Sequence, residues 1–158
     1  MDLPVPIVLI IIGTALFFVW QFYKKKVQRI NDMQQIPQTL PTKGFEVPII
    51  VSFTGLKTQP RQTSQTYNNF NPSLILFEEH LKCRVISPQK IYYNDIEKID
   101  IWDTVGTRNL HVYVKNKEST FVANLLNRKN LSHVLSFFKK KGVRLSSRSE
   151  TYLKQNPT

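Results

Sequence analysis

Residues 74–102 read LILFEEHLKCRVISPQKIYYNDIEKIDIW, and their alternation decides the architecture. Leu81, Cys83 and Val85 share one parity while Lys82 and Arg84 share the other, which is the period-two pattern of a half-buried strand. The segment divides into LILF (74–77), LKCRVI (81–86), KIYY (90–93) and EKIDIWD (97–103), each rich in β-branched or aromatic residues. Glu78, Glu79 and His80 are few enough to turn a hairpin between the first two.

The same chemistry extends on both sides. VPIIVSFT (47–54) precedes it, and LHVYVK (110–115) and STFVANL (119–125) follow, joined by Asn116, Lys117 and Glu118 as a second hairpin turn. The period then changes. Across residues 128–141, Leu131, Val134, Leu135 and Phe138 fall at i, i+3, i+4 and i+7, with Asn127 as N-cap, Gly142 as the stop and Lys139, Lys140 and Lys141 at the negative end of the dipole. Seven strands and one amphipathic helix are expected, with Leu135 and Phe138 plugging the corner between two sheets.

Toward the N-terminus the composition is different. Residues 5–23 (VPIVLIIIGTALFFVWQFY) carry no charge over nineteen residues and end on Lys24, Lys25 and Lys26. As a helix this run measures about 28 Å, near the thickness of a bilayer core, and predicts an uncleaved transmembrane anchor. Trp20 and Tyr23 would mark the headgroup boundary together with Lys24, Lys25, Lys26 and Arg29. Cations lie only after the run, so the expectation is a single-pass cell-membrane protein with its N-terminus outside and its domain in the cytoplasm. The lone Cys83 suits a reducing compartment. The expected parts are an anchor and basic segment over 1–30, a linker over 31–43, a β domain over 44–145 and a polar tail over 146–158. A polar loop over 57–73 interrupts the domain.

Residues 74–102, with the step Tyr93-Asn94-Asp95-Ile96-Glu97-Lys98-Ile99 leading into a long strand, resemble the bacterial pleckstrin-homology-like domain. The closing Lys141-Gly142-Val143 looks like that family's ending, and the resemblance covers residues 45–145. It implies a mainly β fold with a C-terminal α-helix, a seven-stranded two-sheet PH-like barrel behind the transmembrane helix. The 57–73 loop departs from it, being longer than a tight hairpin.

The chain has 158 residues and 22 Lys and Arg against 11 Asp and Glu, a formal charge of +11. The first 43 residues hold five of the cations and two of the acids, which leaves +8 on the remainder. An anionic inner leaflet is one counter-surface for that charge, and plain solvated surface is the other reading. Nucleic acid is disfavoured, since no helix-turn-helix spacing, zinc pattern or RNA-binding aromatic motif occurs. Lys57 and Arg61 alone occupy the place of a phosphoinositide-binding K-x-n-[KR]-x-R pattern. Diffuse lipid or partner contact is therefore assigned to Lys57, Arg61, Lys139, Lys140, Lys141 and Arg144.

Catalytic chemistry has little to stand on. Asp95, Glu97 and Asp103 share a parity that Asp100 does not, so the four carboxylates do not pool. Glu79, His80 and Cys83 are too few for a structural metal site, and His111 and His133 lack supporting spacing. No nucleophile motif or phosphate-binding glycine loop appears among five glycines. Asn130-Leu131-Ser132 matches a glycosylation acceptor inside a helix, where chance accounts for it. The expectation is a non-catalytic interaction module without cofactor, metal or small-molecule substrate, engaging a membrane protein or the leaflet. The alternative is a structural accessory subunit of a membrane complex, its helix approached at Gly13, Thr14 and Ala15.

Overall fold

A computed structural model describes residues 5–31, 36–37, 39–58, 66–104, 107–125 and 128–157. Two units make up the chain, Met1–Asp32 and Met33–Thr158. The first holds helix α1 (Val5–Asn31), on which Thr14 Oγ1 donates to the carbonyls of Ile10 and Ile11 and the described apolar side chains, Ile10, Leu16 and Phe18 among them, are exposed.

The expected transmembrane anchor is corrected here. Among the described residues, no helix is long and apolar enough to cross a membrane. Helix α1 does not stop at the end of the apolar run but continues through Lys24, Lys25 and Lys26 to Asn31. The cation asymmetry then orients nothing, so the single-pass topology and the cytoplasmic placement fall with the span.

In the second unit, nine strands are present among the described residues. They are β1 (Phe45–Glu46), β2 (Ser52–Leu56), β3 (Thr66–Asn68), β4 (Ser73–Leu76), β5 (His80–Arg84), β6 (Pro88–Tyr92), β7 (Ile96–Thr104), β8 (Thr107–Val114) and β9 (Ser119–Leu125). Two antiparallel sheets result, in the orders β1-β4-β5-β6 and β3-β2-β9-β8-β7. Each is open, with an edge strand at either side, and among the described residues no strand belongs to both, so the expected seven-stranded PH-like barrel is also corrected. The physical reason lies in residues 47–54, which form not one strand but a crossing. Pro48 lacks the N–H a ladder needs, β1 stays with β4, and β2 pairs with β9 in the other sheet. Between them Val47 N donates to Leu74 O at 2.8 Å and Ile50 N to Asn124 O at 3.0 Å, which staples the crossing to both sheets. The 57–73 stretch contains β3, an added edge strand on β2.

The core lies between the sheets, where Leu74, Leu76, Leu81, Ile99, Leu110 and Leu125 are fully buried. Helix α2 (Arg128–Lys140) closes it with Leu131, Val134, Leu135 and Phe138, all fully buried. Asn127 lies outside the described residues. At the other end Val143 N donates to Phe138 O and Gly142 N to Lys139 O, each at 3.0 Å, with Gly142 at φ +74°. This is the paired-bond C-terminal motif that a left-handed glycine permits. Ile36 and Leu40, from the segment read as a linker, pack on the same core.

The segment read as a polar tail carries helix α3 (Ser147–Gln155). Ser146 caps it, accepting from Ser149 N at 3.2 Å. Just before the cap, Ile99 N donates to Arg144 O and Ser146 N to Ile99 O, so the incoming chain covers the free edge of β7. Tyr152 is buried, and the Arg148 guanidinium stacks 3.7 Å from the Trp102 ring centroid.

Candidate functional site

The outer face of the four-stranded sheet follows directly from the β5 alternation. Because Leu81 and Cys83 point inward, His80, Lys82 and Arg84 point outward; on β6, Ile91 is inward, and Lys90 and Tyr92 outward. The antiparallel register sets His80 opposite Tyr92, Lys82 opposite Lys90 and Arg84 opposite Pro88. On the other side of β5, Ile75 faces Lys82 and Ser73 faces Arg84. Phe77 follows β4 on the outward parity, and its ring lies parallel to that of His80, 4.7 Å between centroids and 6° between planes. The His80 ring is 5.7 Å from Tyr92. A row of three rings, Phe77, His80 and Tyr92, thus borders a row of two lysines.

The lysines and rings are in contact. Lys82 Nζ sits 5.1 Å from the Phe77 centroid and Lys90 Nζ 4.5 Å from that of Tyr92. Burial first, then Lys90 and Lys82, hold the His80 imidazole below its usual pKa, against a smaller pull from Glu79. His80 is therefore a neutral stacking ring at neutral pH. Glu46 shares the lysine row but lies on the opposite edge strand, three strands from Lys90.

Several contacts fix the turn that presents the rings. Phe77 N donates to His80 O at 2.8 Å, Tyr93 N to Glu79 O at 3.1 Å, and Tyr93 Oη to Phe77 O at 2.6 Å. Lys141 pairs with Glu78, whose carboxyl that contact holds below its usual pKa. Gly44 borders the same rings at φ +80°, and a Cβ there would lie 2.5 Å from Ile75 Cγ2 and 2.8 Å from the Phe77 ring. Tyr93 also packs edge-on against Phe137 and Phe138 of α2, and burial holds its phenol above the usual range, so it stays a donor. Tyr93→Phe should leave the Phe77 carbonyl unpaired and lower stability by about 1 kcal/mol in urea denaturation. Tyr67→Phe, at an exposed ring, should change nothing measurable.

The residues chosen from sequence are distributed differently. Lys57 pairs with Glu97 at 2.7 Å, and Lys98 and Arg144 also act on that carboxyl, which all three hold below its usual pKa, the Lys57 hydrogen bond foremost. Lys139 and Lys140 are exposed on the last turn of α2, while Lys141 is occupied by Glu78. Trp20 and Tyr23 are exposed on α1, with Lys24 Nζ 5.1 Å from the Trp20 ring; with no span, they mark no headgroup boundary. Arg61 and the side chains of Lys25, Lys26 and Arg29 lie outside the described residues. Phe77, His80, Lys82, Arg84, Lys90 and Tyr92 were not assigned as a site. The signal was present, since a short turn after Val85 pairs the outward residues of β5 and β6.

Two other places hold reactive side chains without forming a site. A cavity of about 30 Å³, lined by Thr54, Cys83, Val85, Ile91 and Phe121 among others, has room for about two waters. Burial pushes the Cys83 thiol up to about 12, so it is an inert core group. On the outer face of the five-stranded sheet, Asp100 stands opposite His111, accepts from Ile101 N at 2.8 Å and accepts the Ser146 hydroxyl proton. Ser146 thus reaches a carboxylate and not an imidazole, which is a capping arrangement and not an activated nucleophile. Among the described residues, no three His, Cys, Asp or Glu side chains converge as metal ligands; Cys83 points inward from β5 and His80 outward.

No family model matches the chain, and no curated protein matches it. The pleckstrin-homology-like resemblance and the interaction module drawn from it are thereby overturned, since neither the strand architecture nor a family match carries them. The bilayer and the membrane-protein partner, including the accessory-subunit alternative, lose their basis with the anchor.

Proposed function

We propose that this chain is a non-catalytic protein that binds single-stranded nucleic acid on the outer face of its four-stranded sheet. The observation that carries this is the Phe77–His80–Tyr92 ring row beside Lys82, Lys90 and Arg84. Rings accept unstacked bases irrespective of sequence, at about 1–3 kcal/mol per base, while cations follow the phosphates. Stacked bases inside a duplex would present no face to a sheet, so a single strand is the form that fits. Alternate residues along β5 are about 6.6 Å apart, close to the repeat of an extended nucleotide. The +8 charge outside the first 43 residues supplies long-range attraction of the right sign. His80 is held between rings and aimed at no nucleophile, which favours binding over chemistry.

The test is fluorescence anisotropy of the full chain with labelled oligo-dT and oligo-U. If three cations engage phosphates, raising salt from about 50 to 200 mM should weaken binding about twentyfold, from a slope of about −0.7 per cation. Lys82→Glu with Lys90→Glu should abolish binding, and Tyr92→Ala should cost about tenfold. Equal retention of dextran sulfate, which has charge but no bases, would reduce the face to a charge patch and overturn the assignment. So would unchanged affinity in the double lysine variant.

A further inference from the structure

Resting on that reading, we infer that the binding face continues past Arg84 to Phe70, which acts as a second stacking platform positioned by Asn68. The outward parity of β5 runs His80, Lys82, Arg84 and then Ile86, which is 79% exposed in the turn to β6. At that corner the Asn68 side chain uses both its ends. Its Nδ2 donates to Val85 O at 2.7 Å and to Asn71 O at 3.2 Å, and its Oδ1 accepts from Phe70 N at 3.1 Å and Asn71 N at 3.0 Å. Three of these bonds hold the 68–71 turn to itself, and the one to Val85 O ties it to the end of β5. The ring they present is 93% exposed, although Phe70 N and both backbone groups of Asn71 are held by Asn68.

A phenyl ring in that position contributes nothing to the core, and a pinned backbone spares a ligand the cost of ordering it. Its occupant is set by what the face holds behind it. The Asn68–Val85 bond puts the Phe70 turn at the Arg84 end of β5, with Lys82, Lys90 and then the Tyr92 and His80 rings toward the other end; a base on Phe70 would give the cationic stretch an aromatic platform at each end. The six residue steps from His80 to Ile86 cover about 20 Å in extended chain, enough for several extended nucleotides. An acidic peptide would match the cations but leave the terminal rings without a partner of their own geometry.

Length dependence separates this inference from the reading beneath it. For the wild type, dT8 should bind at least tenfold more tightly than dT4, because only the longer strand reaches both platforms. Phe70→Ala should lose that gain, so that dT8 binds within about twofold of dT4, and keep the thermal midpoint, since the removed ring is exposed. Phe70→Trp should retain it. Asn68→Ala should reproduce the loss with the ring still present. Binding of dT8 by Phe70→Ala at wild-type affinity overturns the second platform and leaves the first reading intact. Failure of the wild type to bind either oligonucleotide overturns both.

Discussion

Phe138→Asp should leave most of the 33–158 unit unfolded at 25 °C. The ring is fully buried and packs against Tyr93 and Phe137, with centroids 6.1 and 5.8 Å away. Removing it costs about 3–5 kcal/mol as a cavity alone, and a carboxylate in its place adds the burial of a charge in an apolar core. The sum approaches the whole stability of an ordinary domain, about 5–15 kcal/mol. Phe138→Leu keeps the site apolar and should cost about 1–2 kcal/mol, as a modest change of shape does. Urea denaturation followed by circular dichroism measures both, and an aspartate variant melting like the parent would show that α2 does not close the core.

Acid should destabilise the protein through His111. This imidazole is buried on β8 opposite Asp100, and its Nδ1 has no hydrogen-bond partner among the described residues. Burial depresses its pKa to about 4; Asp100 pulls it upward and Arg148 downward. Tyr113 stacks beside it, 6.2 Å between centroids. The folded state therefore holds the neutral ring while the unfolded chain takes a proton near pH 6.5. The stability that neutrality brings is complete above pH 6.5 and is lost as pH falls from there toward 4. The full window is worth about 3 kcal/mol. The fall in stability between pH 7 and 4.5 should exceed that of His111→Gln by most of this amount, the variant keeping only the contributions of His80, His133 and the carboxylates. Ring titration followed by NMR gives the same answer without a variant, and a His111 pKa near 6.5 would remove the effect.

The elements themselves were legible in the residues. Alternation at Leu81, Cys83 and Val85 placed β5, and the spacing of Leu131, Val134, Leu135 and Phe138 placed the buried stripe of α2 and its stop at Gly142. Both patterns are local, because a side chain's direction repeats every second residue in a strand and nearly every fourth in a helix. Helix α3 escaped the same reading because its apolar contacts with the core are the adjacent Tyr152 and Leu153, joined by Arg148 over Trp102, too few apolar positions to make a period. The candidate face escaped it for another reason. Phe77, His80 and Tyr92 belong to three different segments, and no spacing within any one of them announces a row.

By itself, then, the sequence determined which residues alternate, which helix carries an apolar stripe, where that helix stops, and that the chain is strongly basic. Tertiary structure alone decided that residues 47–54 cross between sheets, that two open sheets replace a closed barrel, that residues 143–146 cover the edge of β7, and that three rings meet beside Lys82 and Lys90. The division has one physical cause. Direction along a chain follows from neighbouring dihedral angles, whereas strand partners and register follow from which distant backbone groups can pair while the core closes.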